Sequence, residues 1–136
     1  MVLQYPVQRI MNSRHIRILD EYDSVLTAIR HMDENNISAL PVKNDSGQYT
    51  GVLSKTDIAS LRFLKLIQQT APDKLPVKLL MNRTPPMYVM ATQPIADAVA
   101  LMHKHHIRRV FVSDAKHKIC GIVSTTDIIK LLFLEQ

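Results

Sequence analysis

The chain has a single cysteine and three glycines among its 136 residues, and aromatic side chains make up 5% of it. Each scarcity excludes something. One cysteine, Cys120, cannot close an internal disulfide, so the fold does not rest on cross-links and suits a reducing compartment. Few glycines and no low-complexity tract, with 46% apolar and 21% charged residues, argue for an ordered globular chain rather than a disordered one. The longest apolar runs, such as Leu131-Leu132-Phe133-Leu134, fall far short of the roughly 20 residues a membrane span needs. No charged n-region followed by an apolar h-region opens the chain. A cytoplasmic protein that does not cross a membrane is therefore expected. The net charge of +5 and a pI of about 9.5 invite a nucleic-acid reading. With four Tyr and three Phe for base stacking and with scattered basic residues, that reading is the weakest of those considered; the same charge also serves a nucleotide's phosphates.

What the chain does have is a repeat. Gly51-Val52-Leu53-Ser54-Lys55-Thr56-Asp57-Ile58 returns as Gly121-Ile122-Val123-Ser124-Thr125-Thr126-Asp127-Ile128, at an offset of 70 (121 − 51, and equally 127 − 57). The same offset carries a short helical lead-in, Val7 to Asn12, onto Val77 to Asn82. A β-prone run follows each, Ile16 to Leu19 and Met87 to Met90. Val25, Leu26, Ile29 and Met32, and then Ile95, Ala98, Val99 and Met102, recur at helical spacing. Two further β-runs come next in each copy. Ala39 to Val42 and Tyr49 to Leu53 flank the turn-prone Asn44-Asp45-Ser46-Gly47, and Val110 to Val112 and Ile119 to Val123 flank Asp114 to His117. A closing helix is predicted from Lys55 to about Gln69 and from Thr125 to the C-terminus. The predicted organisation is repeat 1 over 1–68, a proline-bearing linker over 69–76 and repeat 2 over 77–136. Each unit reads β-α-β-β-α, an α+β class, with too few strands to be stable alone. Leu61, Leu64, Leu131 and Leu134 are left to supply a dimer surface.

Ser54 and Ser124 stand where a strand gives way to a helix, the place where a hydroxyl caps free backbone amides. Asp57 and Asp127 fall three residues on, so the motif reads as a capping box with Asp in place of Glu or Gln. Capping requires no threonine, yet Thr56 and Thr126 precede the aspartate in both copies. A glycine, a hydroxyl-rich turn and a helix N-terminus also suit an anionic group, and an aspartate suits the paired hydroxyls of a ribose. Phosphate and ribose together make a nucleotide. Copy 2 adds Arg108 and Arg109 where copy 1 has Ser38 and Ala39, which favours phosphate at the second site.

A Gly-apolar-apolar-Ser-x-Thr-Asp-Ile motif that closes a β-α-β-β-α unit and occurs twice in register resembles a cystathionine β-synthase (CBS) domain pair, or Bateman module. The resemblance runs from Val7 to the C-terminus. It implies two repeats packed through their sheets with pseudo-twofold symmetry and two clefts between them. It also implies a regulatory role, as a sensor of an adenosine-containing ligand that signals by conformational change. By position, one site takes Ser54, Thr56 and Asp57, completed by Thr84 and Met87. The other takes Arg109, Ser124, Thr126 and Asp127, completed by Arg14, His15 and Ile16. In the regulatory gamma subunit of AMP-activated protein kinase a His-Arg pair leads the strand that here begins Arg108-Arg109, which makes the Asp127 site the better candidate for AMP, ADP or ATP. S-adenosylmethionine and NAD-type ligands belong to the same family. The resemblance further implies a homodimer acting on an effector protein or domain. The alternatives are a structural dimerisation module with empty clefts and a nucleic-acid binder.

The remaining chemistry-bearing residues read more plainly. His103, His105 and His106 lie on one helix, where 103 and 106 share a face and 105 does not, too few ligands for a metal. Cys120 lies inside a strand, and Met32 and Met102 fill helix faces. Asp57 and Asp127 sit in different copies, so no catalytic pair forms and a non-enzyme is expected.

Overall fold

The computed structural model describes residues 2–13 and 16–134. It resolves into two compact units, Arg17–Pro86 and a second made of Met1–Ile16 together with Met87–Gln136. The first holds β1 (Leu19–Asp20), α1 (Val25–Asn35), β2 (Ala39–Lys43), β3 (Tyr49–Ser54), α2 (Lys55–Ile58), α3 (Leu61–Ile67) and a 3-10 turn at Val77–Leu79. The second holds a 3-10 turn at Val7–Arg9, then β4 (Tyr88–Met90), α4 (Ile95–His105), β5 (Arg109–Ser113), β6 (Ile119–Ser124) and α5 (Thr125–Leu134). The class is α+β, with one three-stranded sheet per unit in the order β1-β2-β3 or β4-β5-β6. In each sheet the first strand runs parallel to the middle one and the last runs antiparallel to it.

The compact units are cut differently from the sequence repeats, because each lead-in packs with the sheet of the other copy. Val7 N–H donates to the Gln93 carbonyl at 2.8 Å, and Val77 N–H donates to the Asp23 carbonyl at 2.8 Å. Both valines are fully buried. Val7 joins Val89, Ile95, Met102, Val110 and Val123 in the core of the second unit. Neither β-α-β-β-α stretch fills its own core, so the exchange supplies the missing apolar side chain and satisfies backbone groups at the same time.

Two expected elements come out differently, and each has a local cause. The first strand of copy 1 is Leu19–Asp20 rather than Ile16 to Leu19, one residue shorter than β4. In copy 2, Tyr88 pairs with Phe111, and Phe111 N–H donates to the Met87 carbonyl at 2.9 Å. At the corresponding place copy 1 has Pro41, which has no N–H to give, and the pairing of Ile18 is lost. The closing helix of copy 1 is also not continuous from Lys55. It ends at Ile58 and restarts at Leu61, with Ser60 as a new N-cap whose hydroxyl oxygen accepts from Phe63 N–H at 3.1 Å. That hydroxyl also donates to the Asp57 carbonyl. Copy 2 has Lys130 in the place of Ser60, and α5 runs unbroken.

The hairpin turns follow the sequence closely. Asn44 Oδ1 accepts from the N–H of Ser46 and of Gln48, both at 3.0 Å, and Asp114 Oδ1 accepts from Lys116 at 2.8 Å and Lys118 at 3.0 Å. The left-handed position is filled by Gly47 (φ 80°) in one turn and by His117 (φ 63°) in the other. Among the described residues no helix is long and apolar enough to cross a membrane.

Candidate functional site

In each unit the last strand runs directly into a helix, and the junction is held by one serine and one aspartate. Ser54 Oγ accepts from Asp57 N–H at 3.4 Å, while Asp57 Oδ2 accepts from Ser54 N–H at 2.8 Å and from the Ser54 hydroxyl at 3.0 Å. The second junction repeats this, with Ser124 Oγ accepting from Asp127 N–H at 3.3 Å and Asp127 Oδ2 accepting at 2.8 Å and 3.0 Å. The capping box predicted from the spacing is therefore formed in both copies. It does not exhaust either carboxylate. All these bonds fall on Oδ2, so among the described residues Oδ1 of each aspartate keeps its acceptor capacity. Thr56 and Thr126 are exposed one residue before it. A half-buried aspartate, an exposed threonine and a helix N-terminus thus lie within three residues of one another.

The glycine that opens each motif is there for close approach. A Cβ at Gly51 would lie 2.5 Å from the Asn82 carbonyl oxygen, and one at Gly121 would lie 2.6 Å from Met11 Sδ and 3.3 Å from the Asn12 carbonyl oxygen. The lead-in segments use that space. Val52 and Asn82 exchange backbone hydrogen bonds, both at 2.9 Å, and Ile122 and Asn12 do the same at 3.0 and 2.8 Å. Each lead-in is thus pinned two residues upstream of a site serine. Thr84 follows Asn82, exposed, with its N–H donating to Asn82 Oδ1 at 2.9 Å, and it belongs to the unit that carries Ser54, Thr56 and Asp57. Ile16 belongs to the unit that carries Ser124, Thr126 and Asp127, and Met87 belongs to that same unit rather than the one bearing Asp57. Arg14 and His15 lie outside the described residues. The roles of Gly51, Gly121, Asn12 and Asn82 were not anticipated from the sequence, although the Met-Asn pair recurring at 11–12 and 81–82 was a visible signal.

Arg109 is where the two junctions part. It is the direct cross-strand partner of Ser124, and in copy 1 the partner of Ser54 is Ala39. Cross-strand partners project from the same face, so one serine has a part-buried guanidinium beside it and the other has a methyl group. The preceding residue plays one role in both copies: the Arg108 carbonyl accepts from Thr125 N–H and the Ser38 carbonyl from Lys55 N–H, each at 2.9 Å.

The other candidates have ordinary surroundings. Cys120 packs against the core of its unit, and burial, with the Asp114 charge as a smaller cause, pushes its thiol up from the usual range, away from a nucleophilic thiolate. The His103 and His106 rings are neighbours, tilted by 55° with centroids 6.5 Å apart. Among the described residues, no three His, Cys, Asp or Glu side chains are grouped to hold a metal.

Known proteins place this geometry. The family model described as CBS domain matches twice, over residues 7–63 and 77–134. Hypoxic response protein 1 of Mycobacterium tuberculosis is 28% identical over 123 residues, covering 90% of this chain and 82% of that protein. The gamma-3 subunit of 5'-AMP-activated protein kinase from Bos taurus is 27% identical over 128 residues, but the match spans only 25% of its length. Among solved structures, a conserved CBS domain protein of unknown function from Thermoplasma acidophilum is 31% identical, with a TM-score of 0.70 over 92% of this chain and 67% of that one. CBSX2 in complex with AMP is 30% identical, with a TM-score of 0.69 over 97% of this chain and 99% of that one.

Proposed function

Since the chain belongs to the CBS domain family, as a tandem pair spanning residues 7–63 and 77–134, we propose that it is a regulatory module that senses an adenosine-containing ligand, AMP, ADP or ATP first. The observation that carries this reading is the duplicated junction: in both copies Asp Oδ2 closes the cap while Oδ1, beside an exposed threonine, is left to accept from a ligand. An acceptor-only oxygen suits ribose hydroxyls, and the helix start with its hydroxyls suits phosphate. Support also comes from the 30% identical CBSX2, solved with AMP.

On this reading Ser124, Thr126 and Asp127 with Arg109 form the phosphate-preferring site, with Ile16 of the same unit, Arg14 and His15 as further candidates. Ser54, Thr56, Asp57 and Thr84 form a second site, with Met87 as a remoter candidate. Without a guanidinium opposite Ser54, this second site is weaker or takes S-adenosylmethionine or an NAD-type ligand. The protein binds and regulates rather than catalyses. It works in the cytoplasm as a homodimer, and it reports energy state to an effector by changing shape when occupied.

Calorimetric titration with AMP, ATP, S-adenosylmethionine and NADH tests this. A phosphate-bearing adenosine ligand is expected to bind, Asp127→Ala to remove the tighter site, and Asp57→Ala to spare it. Asp127→Asn, which keeps one cap acceptor, separates lost binding from a lost cap. If no ligand binds below millimolar concentration, the structural dimerisation module is the better account; unchanged affinity in Asp127→Ala and Asp127→Asn overturns the site.

A further inference from the structure

The turn that follows β1 carries a side-chain network that its counterpart in the other unit lacks. Asp23 Oδ2 accepts from Asp20 N–H and Asp20 Oδ1 from Tyr22 N–H, both at 2.9 Å, which fixes the turn from within. Glu21 has its backbone tied on both sides, donating to the Lys43 carbonyl at 3.1 Å and accepting from Lys78 N–H at 3.0 Å. Its side chain, 14% exposed, is tied as well. Glu21 Oε2 accepts from the Thr50 hydroxyl at 2.9 Å, and Oε1 lies 3.9 Å from Lys78 Nζ. That ammonium also stands 5.5 Å from the centroid of the Tyr22 ring. Thr50 reaches Glu21 because β3 bulges there: Val42 pairs with Gly51 and Lys43 with Tyr49, which leaves Thr50 as the extra residue between them. All of these residues belong to one compact unit.

Lys78 lies on the lead-in turn, and from there hydrogen bonds run on toward the Asp57 junction. Leu80 and Met81 N–H donate to the Val77 carbonyl, Asn82 exchanges two bonds with Val52, and Thr84 N–H donates to Asn82 Oδ1. The lead-in is thus held at both ends, at Glu21 and at Val52. The other unit keeps the backbone half of this arrangement and drops the side-chain half. Gln8 N–H donates to the Ala91 carbonyl at 3.1 Å, and Asn12 exchanges two bonds with Ile122. Ala91, Thr92, Cys120 and Gln8, however, stand at the places of Glu21, Tyr22, Thr50 and Lys78, a set with neither a charge nor an aromatic ring. The Arg9 guanidinium, 4.3 Å from the Tyr5 ring centroid, joins two residues of one N-terminal segment and ties it to nothing else. We infer that Glu21 is a positioning residue for the Asp57 junction. Its carboxylate clamps the bulge of β3 to the lead-in turn and so holds the arm that ends at Thr84. A carboxylate this enclosed stays ordered through its partners, because burying the charge without them is unfavourable. The inference rests on the sensor reading above for what the arm serves, and it deepens that reading: the junction with no guanidinium opposite its serine is the one whose arm is fixed in advance. An arm already ordered costs less to hold when a ligand binds.

Amide hydrogen exchange on the whole chain tests the clamp without any ligand. In Glu21→Ala, exchange at Lys78 to Asn82 and at Thr84 is expected to rise about tenfold, while the matching amides Gln8 to Asn12 keep their wild-type rates. Thr50→Val and Lys78→Met each remove one tether and leave Glu21 in place. Both are expected to give smaller rises at the same amides, and Lys78→Arg, which keeps the charge, to keep the wild-type pattern. These milder variants decide the matter if Glu21→Ala does not fold. No rise at Lys78 to Asn82 overturns the inference, and so does a rise shared equally by both units, which is what a general loss of stability gives. Titration with AMP and with S-adenosylmethionine then reads the arm's purpose, in an Asp127→Ala background so that only the Asp57 junction is seen. Glu21→Gln, which keeps an acceptor for Thr50 and loses the charge facing Lys78, is expected to weaken binding about fivefold there; unchanged affinity overturns the positioning role. A wild-type chain that binds neither ligand removes the sensor reading, and the exchange rates still decide the clamp.

Discussion

The junction at Ser54–Asp57 and the junction at Ser124–Asp127 hold their own backbones with the same hydrogen bonds, at distances that agree to within a tenth of an ångström. What surrounds them differs. Ala39 faces Ser54 and Arg109 faces Ser124; α2 stops after Ile58 and α5 continues to Leu134; the helix end nearby is acidic in one copy and basic in the other. The duplicated frame fixes where a carboxylate and a helix start must be, and the residues free of that frame have diverged. The difference teaches that the shared motif fixes the backbone of the junction, while the unshared neighbours set the charge and bulk around it.

The glycines give the largest way to break that comparison. Both leave room for a lead-in segment, and both face a methionine sulfur, but the nearest obstacle to a side chain is the Asn82 carbonyl oxygen at Gly51 and the flexible Met11 at Gly121, where the Asn12 carbonyl oxygen stands back at 3.3 Å. A carbonyl oxygen tied into a two-bond bridge cannot step aside, whereas a thioether can turn. Gly51→Ala is expected to cost about 3 kcal/mol and Gly121→Ala about 1 kcal/mol in denaturant unfolding. Equal costs would mean that the two lead-ins are held equally loosely. Because Asn82 leads to Thr84, Gly51→Ala should also weaken ligand binding at the Asp57 junction.

The caps sharpen the comparison at an intermediate scale. Identical bond patterns predict that Ser54→Ala and Ser124→Ala each cost about 1 kcal/mol. Their kinetic signatures differ, however. α2 has four residues and depends on its box at one end and on Ser60 at the other, whereas α5 has ten and buries Ile128. Amide exchange should therefore rise across Thr56 to Ile58 in Ser54→Ala and stay confined to the first turn of α5 in Ser124→Ala. Fraying of the whole of α5 would show that its packing is weaker than the buried Ile128 implies.

Much of this was legible in the sequence because it is duplicated. The offset of 70 gave the repeat, the strand-to-helix junction and the cross-strand place of Arg109, each set by local spacing. What spacing could not show is pairing at a distance. That Val7 fills the core beside Ile95, and Val77 packs beside Asp23, depends on which sheet a lead-in reaches, and both choices bury an equally apolar residue. The loss of Ile18 from β1 is a tertiary consequence of Pro41, which reads as an ordinary member of its strand until its neighbour needs an N–H. The helix break at Ser60 was legible in principle, since a serine caps where Lys130 does not, but a continuous apolar pattern from Ile58 to Leu66 masked it. The candidate site residues were picked out by motif; their division between two compact units was not.

The smallest effect belongs to the hairpin turns, and it is the cleanest because little else changes. Gly47 and His117 both adopt a left-handed backbone, at φ 80° and 63°. A Cβ at Gly47 would meet nothing within 4 Å, so Gly47→Ala isolates the backbone cost of a side chain there, about 1 kcal/mol. His117 already bears that cost, partly offset by its edge-on contact with Tyr88, ring centroids 6.5 Å apart. His117→Gly should therefore stabilise the protein by about 0.5 kcal/mol at neutral pH. The measurement belongs there because the Lys118 and Lys116 amides hold the Asp114 carboxyl below its usual range. A lowered folded-state pKa means that the turn's contribution is complete above the unfolded value and is lost as pH falls through the folded one. If His117→Gly instead destabilises, the Tyr88 contact outweighs the strain. Copy 2 would then have traded turn geometry for a contact that copy 1, with Gly47 at the same place, cannot make.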